Sequence, residues 1–384
     1  MNIFKIATLS LFIISFASCK RDYANSPGKP ATNISASSSF ASTTFASSVT
    51  NANFPFDLNP VFSATFSETV TWKIELIGTS GATKTLSGTS SFLDASNATW
   101  FGNHDGLYFF ETGEKVTANL IISGKAGVFA TTSVIIDAQK DSKTATPTFM
   151  LAMNTGTNTS DFEGTLTYPY LFNIGATTVN TLQNQTIRAP EGKKYLHIEG
   201  VSAEENGFFV GGLQMRKNTT AAFKPADSTN FFPKSWTDPN KIYLNIYVRG
   251  VDNLPTGNFP YSVLNFECHE DDRRNPSTMA NCSYYENKPG PPINNPDYFC
   301  PSSEDSWVFK IPIKHTGWQL FSCKYSDLLP SEDFANGGFG NRKLEPQKVA
   351  RVQLGLVSSP PFNRVSADVD FACFTYGAPY DPKK

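Results

Sequence analysis

Charge is scarce along this chain. Lysine, arginine, aspartate and glutamate supply 17% of its 384 residues and leave a net charge of −2. That balance excludes the basic footprint on which nucleic-acid binding depends. The apolar run over residues 6–14 is shorter than the roughly 20 residues a membrane-spanning helix needs. Histidine occurs only four times, and no CxxC or Cys/His spacing marks a zinc site. GxSxG, a P-loop and HExxH are missing as well, which removes the common signatures of serine hydrolases, nucleotide enzymes and zinc hydrolases. Nowhere does an apolar period of 3.6 residues persist, so helices are not expected.

What the chain does have is aromatic and β-forming. Phenylalanine (32) and tyrosine (14) are abundant among Thr, Ser, Asn and Gly, a mixture that favours strands and turns. The expected fold class is all-β: an N-terminal Ig-like β-sandwich followed by a larger β-jelly-roll sandwich. Residues 1–18 form a secretory signal, with Lys5, the apolar run and the small pair Ala17-Ser18 in order. Residues 19–53, rich in Ser, Ala and Thr, read as a flexible tether. Over 54–144 short alternating strands are expected: Val70, Trp72, Ile74 and Leu76 share one face, and Val116, Ala118, Leu120 and Ile122 repeat the pattern. Trp72 and Trp100 are expected in the core. Residues 145–160 read as a linker. Residues 161–384 hold eight further candidate strands: Tyr195–Gly200, Gly207–Met215, Lys241–Gly250, Tyr261–His269, Trp307–Lys314, Trp318–Ser326, Val349–Val357 and Ala367–Tyr376.

The candidate site comes from the polar halves of three of these strands. In 241–249, Ile242, Leu244, Ile246 and Val248 alternate inward, so Tyr243, Asn245, Tyr247 and Arg249 share the opposite face. Asn265, Glu267 and His269 oppose Leu264, Phe266 and Cys268, and Arg351 and Gln353 oppose Val352 and Leu354. If these strands are neighbours, one face gathers Tyr, Asn, Arg, Glu, His and Gln. Planar hydrogen-bonding groups suit a hydroxyl-rich ligand, and tyrosine suits the C–H face of a sugar ring. The competing reading is a solvated outer face. Trp236, in a loop before Thr237-Asp-Pro239, is a further aromatic platform candidate. Glu267 with Asp271 and Asp272 is the one carboxylate cluster that could serve a glycosidase, which needs two carboxylates at a set separation.

Several short motifs resemble known families. Phe16-Ala-Ser-Cys19 resembles the lipobox of bacterial lipoproteins, which implies diacylation of Cys19, and Lys20-Arg-Asp22 resembles the export signals of surface lipoproteins in Bacteroidota-type bacteria. The alternative is an ordinary signal with an incidental cysteine. Thr99-Trp-Phe-Gly-Asn-His-Asp-Gly106 with Phe110-Glu-Thr-Gly-Glu114 resembles bacterial Ig-like spacer modules. Asp161-Phe-Glu-Gly164, Trp307-x-Phe-x-Ile-Pro-Ile313, Gly317-Trp-Gln319 and Asp368-Val-Asp-Phe371 resemble galactose-binding-like jelly rolls, many of them carbohydrate-binding modules. That resemblance implies a structural calcium on Glu163 and Asp370, with Asp161 and Asp368 as further acidic candidates.

With Cys19 assigned to lipid, five cysteines remain, and Cys282 with Cys300 is the most economical disulfide. The expectation is a non-catalytic, lipid-anchored protein of the outer membrane, exposed at the cell surface, with periplasmic-facing anchoring as the alternative. It would capture poly- or oligosaccharide for uptake or degradation, in company with a transporter complex. Alternatives are an adhesion or structural protein that binds protein partners, and a glycoside hydrolase or lyase.

Overall fold

A computed structural model of the chain describes residues 44–140, 148–150, 162, 171–173, 178–182, 186–201, 209–216, 232, 235–250, 262–270, 305–331, 341–358 and 364–384. The N-terminal strands are β1 (Ala46–Ser47), β2 (Asn51–Asn53), β3 (Phe62–Gly78), β4 (Thr83–Leu93), β5 (Lys115–Ile122) and β6 (Ala130–Ala138). Alternation sets the longest of them: Phe62, Ala64, Phe66, Val70, Trp72, Ile74 and Leu76 are all buried. The start of β3 pairs with β1, its second half with β5, and β4 runs along its other edge. A register shift between Thr65 and Val70 bends the strand, as bulges do. β6 closes the sheet, antiparallel to β5 and parallel to β2. The inward residues Val116, Ala118, Leu120 and Ile122 are buried as their spacing predicts, and so are both tryptophans. Trp100 packs edge-on to Phe54 and Phe110 at centroid distances of 5.0 and 4.6 Å.

The remaining strands are β7 (Thr148–Met150), β8 (Leu171–Asn173), β9 (Thr178–Leu182), β10 (Tyr195–Val201), β11 (Phe209–Arg216), β12 (Ile242–Gly250), β13 (Ser262–Glu270), β14 (Ser306–Ile313), β15 (Gly317–Lys324), β16 (Leu329–Pro330), β17 (Val349–Val357) and β18 (Arg364–Tyr376). All eight strands expected in this region are present, displaced by a few residues at most. They form two sheets. The first has the order β15-β12-β18-β10-β9, with β7 also on β18; the second has the order β16-β14-β13-β17-β11-β8. Ile242, Leu244, Ile246 and Val248 of β12 share one core with Leu264 and Phe266 of β13 and Val352, Leu354 and Leu356 of β17. The chain is thus all-β, and among the described residues there is no α-helix.

Two segments expected to be irregular carry strands instead. β1 and β2 fall inside the expected tether, and β7, inside the expected linker, pairs Met150 with Cys373. Composition pointed to polar connectors because Ser, Thr and Asn dominate both stretches. A strand that adds to an existing edge gains its stability from the ladder and needs little apolar surface of its own.

Gly88 lies directly opposite Trp72 on β4, and a Cβ built there would stand 2.6 Å from the indole Cζ2. The ring also donates to Ser90 Oγ at 2.9 Å, which fixes its position over the glycine. Gly88→Ala should therefore destabilise by about 1–3 kcal/mol, the usual cost of overpacking, read as a lowered midpoint in urea at unchanged slope.

Candidate functional site

The two sheets divide the predicted site. β12 belongs to the first sheet, β13 and β17 to the second, so the Tyr243 group and the Glu267 group face outward on opposite sides of the sandwich. Alternation within each strand was legible in the sequence, but which strands are neighbours was not.

The β12 half is enclosed. Asn245 is fully buried: its Nδ2 donates to Thr375 Oγ1 (3.0 Å) and to the Tyr243 carbonyl (3.2 Å), and its Oδ1 accepts from Ser322 Oγ (2.8 Å) and the Tyr380 amide (2.9 Å). Tyr247 is buried against Phe109 and Phe371 at 6.4 and 6.1 Å, and its phenol is pushed well above the ordinary range by burial and by the Asp370 carboxylate. Arg249 pairs with Asp368, which also takes His197 Nδ1 at 2.6 Å. Burial works against the imidazolium of His197, but Asp368 and Glu199 outweigh it and raise its pKa. Of this set only Tyr243 stays half-exposed.

What covers this face is the loop between β4 and β5, residues 186–191, and the segment after β18. A bulge in β18 makes the contact. Asp370 and Phe371 both point outward, the register against β12 shifts there, and Phe371 has φ of +46°. Phe371 lies 4.7 Å from Phe109 and 4.6 Å from Tyr380. Arg188 fastens the rest: it donates to the Phe109 carbonyl and the Glu111 carboxylate at 3.0 Å each and to the Ser80 carbonyl, and it stacks over Tyr108 at 4.3 Å. Its own carbonyl accepts from Trp318 Nε1 at 2.9 Å.

A ligand on the β12 face would have to displace this contact. Exposing Tyr247 costs about 1.5–3 kcal/mol, and four hydrogen bonds to Asn245 add about 0.5–1.5 kcal/mol each. A millimolar ligand supplies only about 4 kcal/mol. Asn245, Tyr247 and Arg249 are therefore joint residues and not a binding platform. Trp236 is corrected likewise: it is buried, stacked between Phe232 (5.6 Å) and Tyr376 (5.3 Å), and belongs to the core. Asp370 is fully buried, and both its oxygens accept backbone amides, from Phe371 at 2.9 Å and Glu191 at 2.8 Å. Those donors fit a carboxylate that holds a bulge. Asp368 is taken by Arg249 and His197 in the same way.

The β13–β17 half does come together. Glu267 stands opposite Gln353, and His269 opposite Arg351. Asn265 Nδ2 donates to Glu267 Oε1 at 3.1 Å, Gln353 Nε2 donates to Glu267 Oε2 at 3.3 Å, and His269 Nε2 lies 3.3 Å from the same oxygen. Glu267, His269 and Gln353 are largely buried and Asn265 is half-buried. The side chain of Arg351 lies outside the described residues, as do Cys19, Asp161, Glu163, Asp271, Asp272, Cys282 and Cys300. Cys268 and Cys323 are free thiols. Among the described residues no group of three or more His, Cys, Asp or Glu could hold a metal, and no helix is long and apolar enough to cross a membrane.

Beside this row, sequence reading passed over Glu270 and Asp305. Both are fully buried, and the Glu270 amide donates to the Asp305 carbonyl at 2.8 Å. Glu270 Oε1 accepts from Tyr325 OH (2.8 Å) and the Glu345 amide (2.7 Å). Burial still raises its pKa to about 8, against those two donors and with help from the Asp305 charge. The signal was weak, because a glutamate at a strand end looks solvated.

No protein-family model and no curated protein matches the chain. Among solved structures, the family 11 carbohydrate-binding module of a Clostridium thermocellum cellulosomal cellulase is 11% identical, covers 61% of this chain and 96% of its own, and superposes with a TM-score of 0.34. A carbohydrate-binding module from the β-sandwich superfamily is also 11% identical, over 86% of this chain and 96% of its own (TM-score 0.32). An arabinose-bound α-L-arabinofuranosidase is 9% identical, over 55% of this chain and 24% of its own (TM-score 0.28).

The raised Glu270 pKa fixes a pH dependence. A carboxyl that binds its proton more tightly when folded stabilises the fold below about pH 4.5, and that contribution fades as pH rises to about 8. Glu270→Gln keeps the acceptor for Tyr325 and cannot ionise. Thermal melts should show its midpoint rising relative to the parent as pH goes from 5 to 9; a constant difference across that range would refute the assignment.

Proposed function

We propose that the protein is a non-catalytic glycan-binding protein, that its site is the outer face of β13 and β17, and that Cys19 anchors it by lipid at the outer membrane, exposed to the exterior. The observation that carries the reading is the Glu267 row, in which two amides and an imidazole converge on one carboxylate over two adjacent strands. The row fixes planar donors and acceptors in place, and its half-buried member, Asn265, is the one a sugar hydroxyl would meet first. Glu267 is engaged by Asn265, Gln353 and His269, an arrangement that orients a carboxylate for accepting hydrogen bonds. A glycosidase would place a second carboxylate across a gap from it. The ligand is a poly- or oligosaccharide, held for a transporter or for degrading enzymes.

Affinity electrophoresis through gels containing neutral and acidic polysaccharides tests this. At least one polysaccharide should retard the protein, and Asn265→Ala and Gln353→Ala should each weaken retention about tenfold with the circular dichroism spectrum unchanged. Unaltered retention in both variants would remove the site from this face. Release of reducing ends, abolished by Glu267→Gln, would instead make the protein an enzyme.

A further inference from the structure

Beside the joint lies a cavity of about 290 Å³ whose walls come from the β4–β5 loop, Lys140 and residues 375–384. Phe109, Phe110, Tyr376 and Tyr380 give it ring faces. The volume is close to the lower end for small-molecule pockets, which leaves room for a single ring.

No ion is called for here. Apart from the exposed Lys384, the charged side chains of the wall are Lys140 and Asp381. Lys140 Nζ donates to the main-chain oxygen of Lys384 at 2.5 Å, and Asp381 accepts from the Lys383 amide at 3.0 Å. Lys84, whose charge also reaches the wall, is paired with Asp105 at 2.8 Å. His104 is neutral: its Nδ1 carries the proton and donates to the Gly106 carbonyl at 2.9 Å, and burial lowers its pKa to about 4.

One polar pair on the wall is loosely joined. Tyr380 OH donates to His104 Nε2 at 3.4 Å, beyond the roughly 3.2 Å limit of a well-formed bond. His104 is only 3% exposed, so solvent barely reaches it. An incoming hydroxyl about 2.8 Å from both atoms accepts from the phenol, donates to the imidazole, and replaces one long bond by two good ones.

The geometry points to a binding site here for a neutral ring compound that bears a hydroxyl: the ring lies among Phe109, Phe110 and Tyr376, and the hydroxyl bridges Tyr380 and His104. Two sources share that chemistry, a phenolic compound and a single neutral sugar residue. The site does not rest on the β13–β17 reading, because the two involve no common residue.

Isothermal titration of the full chain at pH 7 with phenol and glucose, beside their charged counterparts benzoate and glucuronate, tests it. Phenol or glucose should bind at 1:1 stoichiometry, and whichever does so names the source. Its charged counterpart should bind no tighter. Tyr380→Phe keeps the ring and removes the hydroxyl; it should weaken that ligand about tenfold, as loss of a hydrogen bond does, and leave polysaccharide retention intact. Ala378→Trp, at an exposed residue of the cavity wall, should block the ligand by filling the space, again with polysaccharide retention intact. No heat with phenol or glucose, tighter binding of the charged counterpart, or unchanged affinity in both variants overturns the proposal.

Discussion

Phe109 touches aromatic rings on three sides: Tyr247 from β12, Phe371 from the β18 bulge, and Tyr380 beyond it. This contact decides what each surface of the molecule is free to do. It turns one outer face of the C-terminal sandwich into an interior, and residues 42–384 accordingly form one compact unit. The bulge supplies the geometry. Two successive outward residues, one of them at positive φ, put Phe371 where a regular strand would have hidden it in the core. Left-handed backbone at a phenylalanine costs about 1–2 kcal/mol, and the apolar burial at Phe109 is large enough to offset it.

With the first sheet covered in this way, the polar side chains of β13 and β17 stand on the outer side of the second sheet. Its polar row also differs in kind from the one at the joint. Around Asn245 every side-chain donor and acceptor is matched by an intramolecular partner of fixed geometry, so the amide is structural. Around Glu267 the partners are themselves side chains, two of them primary amides with two donors and an acceptor each. The same residue types thus stand on both outer faces, held by backbone and side chains on one and by side chains of two adjacent strands on the other.

Strand positions were legible from alternation alone, because a buried strand face repeats every second residue whatever lies beyond it. Ile242 to Val248 and Leu264 to Cys268 gave their inward faces without ambiguity. Pairing was not legible. Whether β12 neighbours β13 or lies across the core from it depends on connections that leave no mark in either strand. Tyr247 and Arg249 resembled a binding face because a polar–aromatic surface that will be covered by another part of the chain has the composition of one that will meet a ligand. Trp236 was misjudged through its Pro and Asp neighbours, which signal a turn and say nothing of whether the ring folds back. The β18 bulge was hidden too: Asp370-Phe371-Ala372 alternates plausibly in either register.

The hydrogen bond between Tyr380 and His104 spans 276 positions of sequence, and that between Asn103 and the Lys383 carbonyl spans 280. A chain made from its N-terminus therefore completes the β4–β5 loop long before the segment that roofs it exists. Until then Phe109 has no lid, and the neighbouring strands carry an apolar patch open to solvent. Closure so remote in sequence is slow, and the waiting state is the one most prone to association. The interval between synthesis of residue 110 and docking of residue 380 is thus when this protein most needs an escort.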